Sequence, residues 1–217
     1  MGFPGVIKTH IVGDGIEGFD RVHEMTELTS NAFGVMMDEP DVARHLLGHL
    51  VVDVAVENRS IGFASAKYFR TQAGNVLYIS GMAIHKDFQG QRIGPLLVSE
   101  MYDYYQQAGK DVAYIAGRTS NPRVARSRRV YCEGNGTYPI DRAPDDKVVV
   151  VAQHIRQALG MVGAFDPSTL VCKDVYRQPL YIERPSSGDQ KIDTFFLRNV
   201  GTRDAVFIIG IPDFSSS

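Results

Sequence analysis

The sequence predicts an α/β (α+β) fold in which a mixed, mostly antiparallel central sheet is flanked by helices and followed by a C-terminal extension. Two patterns carry that expectation. Val52, Val54 and Val56 alternate with Asp53, Ala55 and Glu57, and apolar runs at 61–69 and 76–84 follow across Glu57-Asn58-Arg59-Ser60 and Gln72-Ala73-Gly74-Asn75. Two hairpins in succession make antiparallel strands. The run ending at Ile84 then passes through a glycine-containing turn into a helical pattern and back to an apolar segment at 111–117. A strand, helix and strand in that order add a parallel pair by the usual crossover.

The other elements follow from spacing. Residues 6–12 read as a first strand, and Gly13-Asp14-Gly15 as a turn. Val22, Met25, Leu28 and Ala32 put a helix at 19–33; a second short helix opens at Pro40-Asp41 and runs to 50, with Val42, His45, Leu46 and His49 near one face. Leu97, Met101, Tyr104, Tyr105 and Ala108 define the crossover helix, which Gly109 ends. Ser120-Asn121-Pro122 is a cap followed by proline in the first turn, and it starts an arginine-dense helix to about Tyr131 that Gly134-Asn135-Gly136 breaks. A helix is expected at 146–159 and two late strands at 194–200 and 205–211. Arg184-Pro185-Ser186-Ser187-Gly188-Asp189 reads as a loop and Ser215 to Ser217 as a tail.

Composition narrows the function classes. A chain of 217 residues, 44% hydrophobic, is long enough to bury a core. Its formal net charge of -2 creates no global cationic field, so nucleic acid is not an expected partner. Cys132 and Cys172 lack the spacing of a zinc site and are too few for a disulfide framework, which points to a reducing, cytoplasmic setting. Met1 to Val6 has neither a charged leader start nor a myristoylation pattern, and no apolar run approaches the roughly 20 residues that cross a bilayer. A soluble protein is expected. His45 and His49 have helical metal-ligand spacing but no third ligand, so no metal is expected.

The segment with chemical content is Gly81 to Leu97, where an apolar strand, a polar turn with glycines and a helix succeed one another. Unpaired N–H groups at a helix start, with Gly90 and Gly94 allowing close approach, suit a phosphate; an ordinary strand-to-helix connection has the same spacing.

This stretch resembles motif A of the GNAT superfamily of acetyl-CoA-dependent N-acetyltransferases, Q/R-x-x-G-x-G/A between a strand and a helix. Gln89, Ile93 and Gly94 match, Arg92 stands where the first motif glycine is usual, and Pro95 removes one N–H from the helix start. Ser120-Asn121-Pro122-Arg123-Val124-Ala125 resembles the family's N-x-x-A helix start. The resemblance extends from about 51 to 131 in motif detail, and the element order of the first 130 residues is similar to the family core. It implies an acyl-CoA-binding core at 1–140 and a part at 141–217 that completes the sheet and shapes the acceptor pocket, in a single compact unit.

It also implies acetyl-CoA as co-substrate, bound by Gln89, Gly90, Gln91, Arg92, Ile93, Gly94 and Pro95, by the backbone of Met82 and Ile84 with Ala83 between them, and by Asn121 and Arg126. The family's tyrosine, which protonates the leaving thiolate, has its usual place at Arg128 here; Tyr131, three residues on, is the substitute candidate, or else packs the helix onto the sheet. The strand at 76–84 has no acid, so His85, Glu57 and Asp53 are candidates for the base, with deprotonation through water as open an alternative.

Arg118, Arg123, Arg126, Arg128 and Arg129 form a basic stretch balanced by Glu133, Asp141, Asp145 and Asp146, which suits a solvated face or a cofactor phosphate. The resulting expectation is an N-acyltransferase acting on an amine in a small molecule or protein. The alternatives are a non-catalytic coenzyme-A-binding or partner-binding module, and an acyltransferase for a nucleic-acid-linked amine. A monomer and a homodimer joined through the late strands both fit.

Overall fold

The computed structural model describes residues 6–11 (backbone only), 21–47, 49–57, 59–132, 134, 136–179, 181 and 183–214. The expected turn at 13–15, the start of the first helix and the serine tail lie outside them. Two compact units emerge, Met1–Lys67 with Ile79–Lys110, and Tyr68–Tyr78 with Asp111–Ser217. The strands are mixed in direction and mostly antiparallel, as the alternating sequence requires.

In the first unit the strand order is β1 (Val6–Ile11), β2 (Leu50–Val56), β3 (Arg59–Thr71) and β4 (Gly74–Ile84), the last two continuing into the second unit. Helices α1 (Val22–Phe33) and α2 (Glu39–Leu46) bury Met25, Leu28, Val42 and Leu46 with Val51, Phe63 and Ala83 of the strands. Helix α3 (Ile93–Gln107) buries Ile93, Leu97, Val98, Met101 and Tyr105, a three-and-four spacing that is one helical face. Its start is held close by Gly62 of β3, where an added Cβ would meet Ile93 Cγ2 at 3.3 Å. Helix α2 is shorter than expected, because Leu47 turns extended at φ -67, ψ 130. His49 therefore lies beyond the helix and is buried, whereas His45 is exposed, so the two do not share a helical face.

In the second unit β4 is followed by β5 (Tyr114–Thr119), β9 (Ala205–Gly210), β8 (Val171–Cys172) and β7 (Phe165–Asp166), with β6 (Thr137–Tyr138) also on β9. β5 runs parallel to β4, from Val76↔Tyr114 to Tyr78↔Ala116. Helices α4 (Pro122–Arg129), α5 (Asp146–Ala158) and α6 (Gln190–Asn199) complete it, and Ala125, Val151, Ile155, Ile192, Phe196 and Phe207 join its core.

The expected strand at 194–200 is part of α6. Thr194, Phe195 and Phe196 favour strands by at most ~1 kcal/mol. Asp189 Oδ1 accepts from the N–H of Lys191 at 2.9 Å and of Ile192 at 3.1 Å, closing a helix start. Ile192 and Phe196, four apart, are both fully buried, and each such side chain stabilises the fold by roughly 1.5–3 kcal/mol. Burial outweighs propensity here. The homodimer suggested by two late strands thus loses one of the pair.

Among the described residues no helix is long and apolar enough to cross a membrane, and no group of three His, Cys, Asp or Glu side chains is placed to hold a metal. Both cysteines are free and buried.

Candidate functional site

The first unit assembles Met82, Ala83, Ile84, His85 and Gln89 to Pro95 into one continuous strand, turn and helix start. A short 3-10 turn at Lys86–Phe88 follows β4. It is pinned by the Lys86 N–H donating to Asn31 Oδ1 at 3.0 Å and by the Gln89 amide, which donates to the carbonyls of Ala32 at 3.1 Å and Ile84 at 3.0 Å. Gln89 therefore ties the turn to α1 and to the end of β4.

Gly90 then adopts φ +81 and Arg92 φ +62, both left-handed. Successive N–H groups around such residues line a concavity that suits anions. Arg92, the sequence's departure from the family glycine, occupies a conformation that costs a non-glycine residue roughly 1–2 kcal/mol. α3 begins directly after it, with no side chain capping the helix and no acid in its first turn. Residues 89–92 are exposed, whereas Ile93 and Gly94 are buried. An exposed, uncapped helix start carrying partial positive charge fits a phosphate. An added Cβ at Gly90 has open space, so Gly90→Ala is expected to cost about 1 kcal/mol through backbone conformation alone. Urea denaturation measures it.

His85 packs edge-on against Phe88, and its Nδ1 accepts from the Asp87 N–H at 3.4 Å, which leaves the proton of the neutral ring on Nε2. Glu57 is exposed at the β2–β3 turn with φ +50. Asp53 is fully buried, where it accepts from Arg21 Nη1 and Nη2 at 3.1 Å and from Ser60 Oγ at 2.8 Å. An ion pair inside the strand layer makes Asp53 a structural group. His45 packs over β4, which no spacing in the sequence signals. A Cβ on Gly81 would lie 3.4 Å from His45 Cβ and 3.2 Å from Ser65 Oγ. Burial pushes the neighbouring His49 down to about 4, so it is neutral at pH 7.

In the second unit Asn121 caps α4, Oδ1 accepting from the Arg123 N–H at 2.9 Å, while Nδ2 donates to the Tyr181 hydroxyl at 3.2 Å. The arginines of α4 divide by partner. Arg123 Nε and Arg126 Nη1 donate to the Ser186 and Ser187 carbonyls at 2.9 and 2.7 Å, and Arg129 bridges Asp141 and Asp189. A shallow cavity of about 460 Å³ lies among Arg126, Arg129, Cys132, Gly136 and Asp189. Tyr131, in the 3-10 turn after α4, is 3% exposed, and burial pushes its hydroxyl up to about 12.

Arg128 differs from its neighbours. Its Nη1 has no exposed surface and no hydrogen-bond partner, and it lies over Gly117 of β5. Pro122 and Ala125 are the buried positions of α4, and Arg128 continues them at a spacing of three. That spacing was the readable signal, obscured by the charge of the surrounding arginines.

No curated protein matches the chain. Solved structures that the chain matches include the ribosomal-protein-S18-alanine N-acetyltransferase of Escherichia coli, at 13% identity, covering 97% of this chain and 95% of that one with a TM-score of 0.47. An acetyltransferase of the GNAT family from Elizabethkingia anophelis, solved with acetyl-CoA bound, is 12% identical and covers 96% and 98%, with a TM-score of 0.49. An IAA acetyltransferase from Bacillus cereus ATCC 14579 is 15% identical and covers 95% and 99%, with a TM-score of 0.48. Residues 21–136, more than half of the chain, match the family model described as acetyltransferase (GNAT) family, and the chain belongs to that family.

Proposed function

We propose that this protein transfers an acetyl group from acetyl-CoA to an amine. The observation that carries this reading is the exposed turn in which left-handed Gly90 and Arg92 lead into the uncapped start of α3. Acetyl-CoA, when bound, would supply the activated thioester, and coenzyme A leaves as the thiol. The N–H groups of residues 89–94 and the Arg92 guanidinium hold its phosphates, and Pro95, which has no N–H, takes no part in that set. The backbone of Met82, Ala83 and Ile84 orients the arm and polarises the carbonyl.

His85 or Glu57 takes the ammonium proton. Tyr131, whose raised pKa keeps it protonated at pH 7, returns one to the sulfur. The core at 1–140 then carries the donor and 141–217 the acceptor pocket. A non-catalytic coenzyme-A-binding module is the second reading, favoured by the lack of an acid on β4 and by Arg128 at the usual tyrosine position.

Calorimetric titration with acetyl-CoA, coenzyme A and ATP tests both. Saturable acetyl-CoA binding is expected in the wild type. Arg92→Glu, at an exposed position, should weaken it at least about tenfold, or ~1.4 kcal/mol, with unchanged folding, because a carboxylate replaces a cation at the phosphate turn. Absence of acetyl-CoA binding at millimolar ligand would sink the proposal. Binding without turnover across a panel of amines would leave the second reading.

A further inference from the structure

The acyl-transfer reading leaves Arg128 without a role. Among the described residues its guanidinium makes no hydrogen bond or ion pair, and Nη1 is wholly withdrawn from solvent. Burial pushes its pKa below the ordinary arginine value, and the charges that act on it most strongly are those of Tyr131, Tyr78, Cys132 and Tyr176, not of a carboxylate. A guanidinium does not escape such a position by losing its proton. Arg128 keeps part of its surface exposed, but a guanidinium N–H withdrawn from solvent with no acceptor is costly for a fold to retain.

Nor does α4 lack the means to satisfy arginines, since Arg123, Arg126 and Arg129 all have oxygen partners. Room for the head group is specific as well. A Cβ at position 117 would lie 1.6 Å from Arg128 Nη1, so the glycine in β5 is what admits it.

We infer that Arg128 is a binding residue for a carboxylate carried by one of the two reactants. The planar donor fork of a guanidinium matches a carboxylate, and the phenols around it offer further donors. The phosphates of coenzyme A already have the turn at residues 89–94 in the proposed function, on which this inference rests. Two sources share the chemistry: the free acid of a dicarboxylic acyl-CoA, or the carboxylate of an amino-acid acceptor.

The test compares two ligand pairs by calorimetry on the full chain: succinyl-CoA against acetyl-CoA, and alanine against alaninamide in the presence of acetyl-CoA. One pair should favour the carboxylate about tenfold or more in the wild type. That preference should fall to about one in both Arg128→Met and Gly117→Ala; the second keeps the arginine and displaces only the flexible end of its side chain. Without ligand, Arg128→Met should raise Tm by roughly 2–8 °C, because it removes a withdrawn guanidinium N–H that has no acceptor.

No preference in either pair, a preference that survives in the variants, or a fall in Tm for Arg128→Met overturns the inference. Equal acetyl-CoA affinity in all three proteins with no carboxylate preference would leave acyl transfer standing while this inference fails. A carboxylate preference for alanine that depends on Arg128, without binding of either thioester, would do the reverse.

Discussion

Phe207→Ala is expected to destabilise the second unit by about 3–5 kcal/mol, enough to leave a marginally stable domain largely unfolded. Phe207 is fully buried in β9, paired with Arg118 of β5, and its N–H donates to the Leu170 carbonyl at 3.1 Å. Ile155, Ile192, Phe196 and Ile208 belong to the same core. Truncation removes the ring's transfer free energy and leaves a cavity between strand and helix, which rigid neighbours on both sides cannot fill. Urea denaturation with far-UV detection measures the change in midpoint. A loss below about 1 kcal/mol would mean that the core collapses onto the site, and the account of β9 as a central strand would be wrong.

Asp204→Ala should cost about 2–4 kcal/mol at pH 7. The carboxylate accepts from Lys173 Nζ at 2.8 Å and from the N–H groups of Asp174 and Gly201 at 3.0 and 2.8 Å, and its side chain is 9% exposed. Alanine leaves two backbone donors and an ammonium without this acceptor. The pH dependence carries a definite sign. Burial raises the Asp204 pKa, but the bonds from Lys173, Asp174 and Gly201 outweigh it and hold the group below its ordinary 3.8.

A depressed folded pKa gives stabilisation that is complete above the unfolded value and lost as pH falls through the folded one. Asp141 acts alike. Burial opposes ionisation there, yet Arg129 and Thr137 bring the carboxyl down to about 2. Wild-type stability should therefore decline between about pH 4 and pH 2, and Asp204→Asn should decline less steeply. Parallel curves for the two proteins would remove Asp204 from the acid response.

What the sequence disclosed about this fold depended on how strongly one pattern dominated each segment. The meander of β2, β3 and β4 is legible in its apolar runs and the turns between them, although β2 is buried on both faces and not on alternate residues, and α3 in buried residues that recur every three or four positions. α6 is not legible in the sequence because Thr194, Phe195 and Phe196 have the composition of a strand, while the determinants of the helix, the Asp189 cap and the Ile192 and Phe196 face, act through tertiary burial. β6, β7 and β8 are two residues each, too short for any periodicity to register.

The turn at residues 89–92 is legible as glycines between strand and helix. That position 92 needs a left-handed backbone was not, since the residue there is arginine. Arg128 was hidden for a different reason. Composition presents five arginines near one helix as equivalent, and only three-dimensional partners separate the four with an oxygen or a ring to face from the one with neither.

The position of β9 also sets an order of events during synthesis. β9 lies between β5 and β8, yet it is made from residues 205–210, while β5 comes from 114–119 and the hairpin end Tyr68–Tyr78 from earlier still. A chain emerging from the ribosome can close the local β2, β3 and β4 meander long before the strand that joins β5 to β8 exists. Pairing across such sequence separation is slow, because the intervening chain must be ordered before the contact forms. The sheet of the second unit therefore closes late, once residues 205–210 have been made, and the apolar strands at 114–119 and 171–172 wait until then for the neighbour they share.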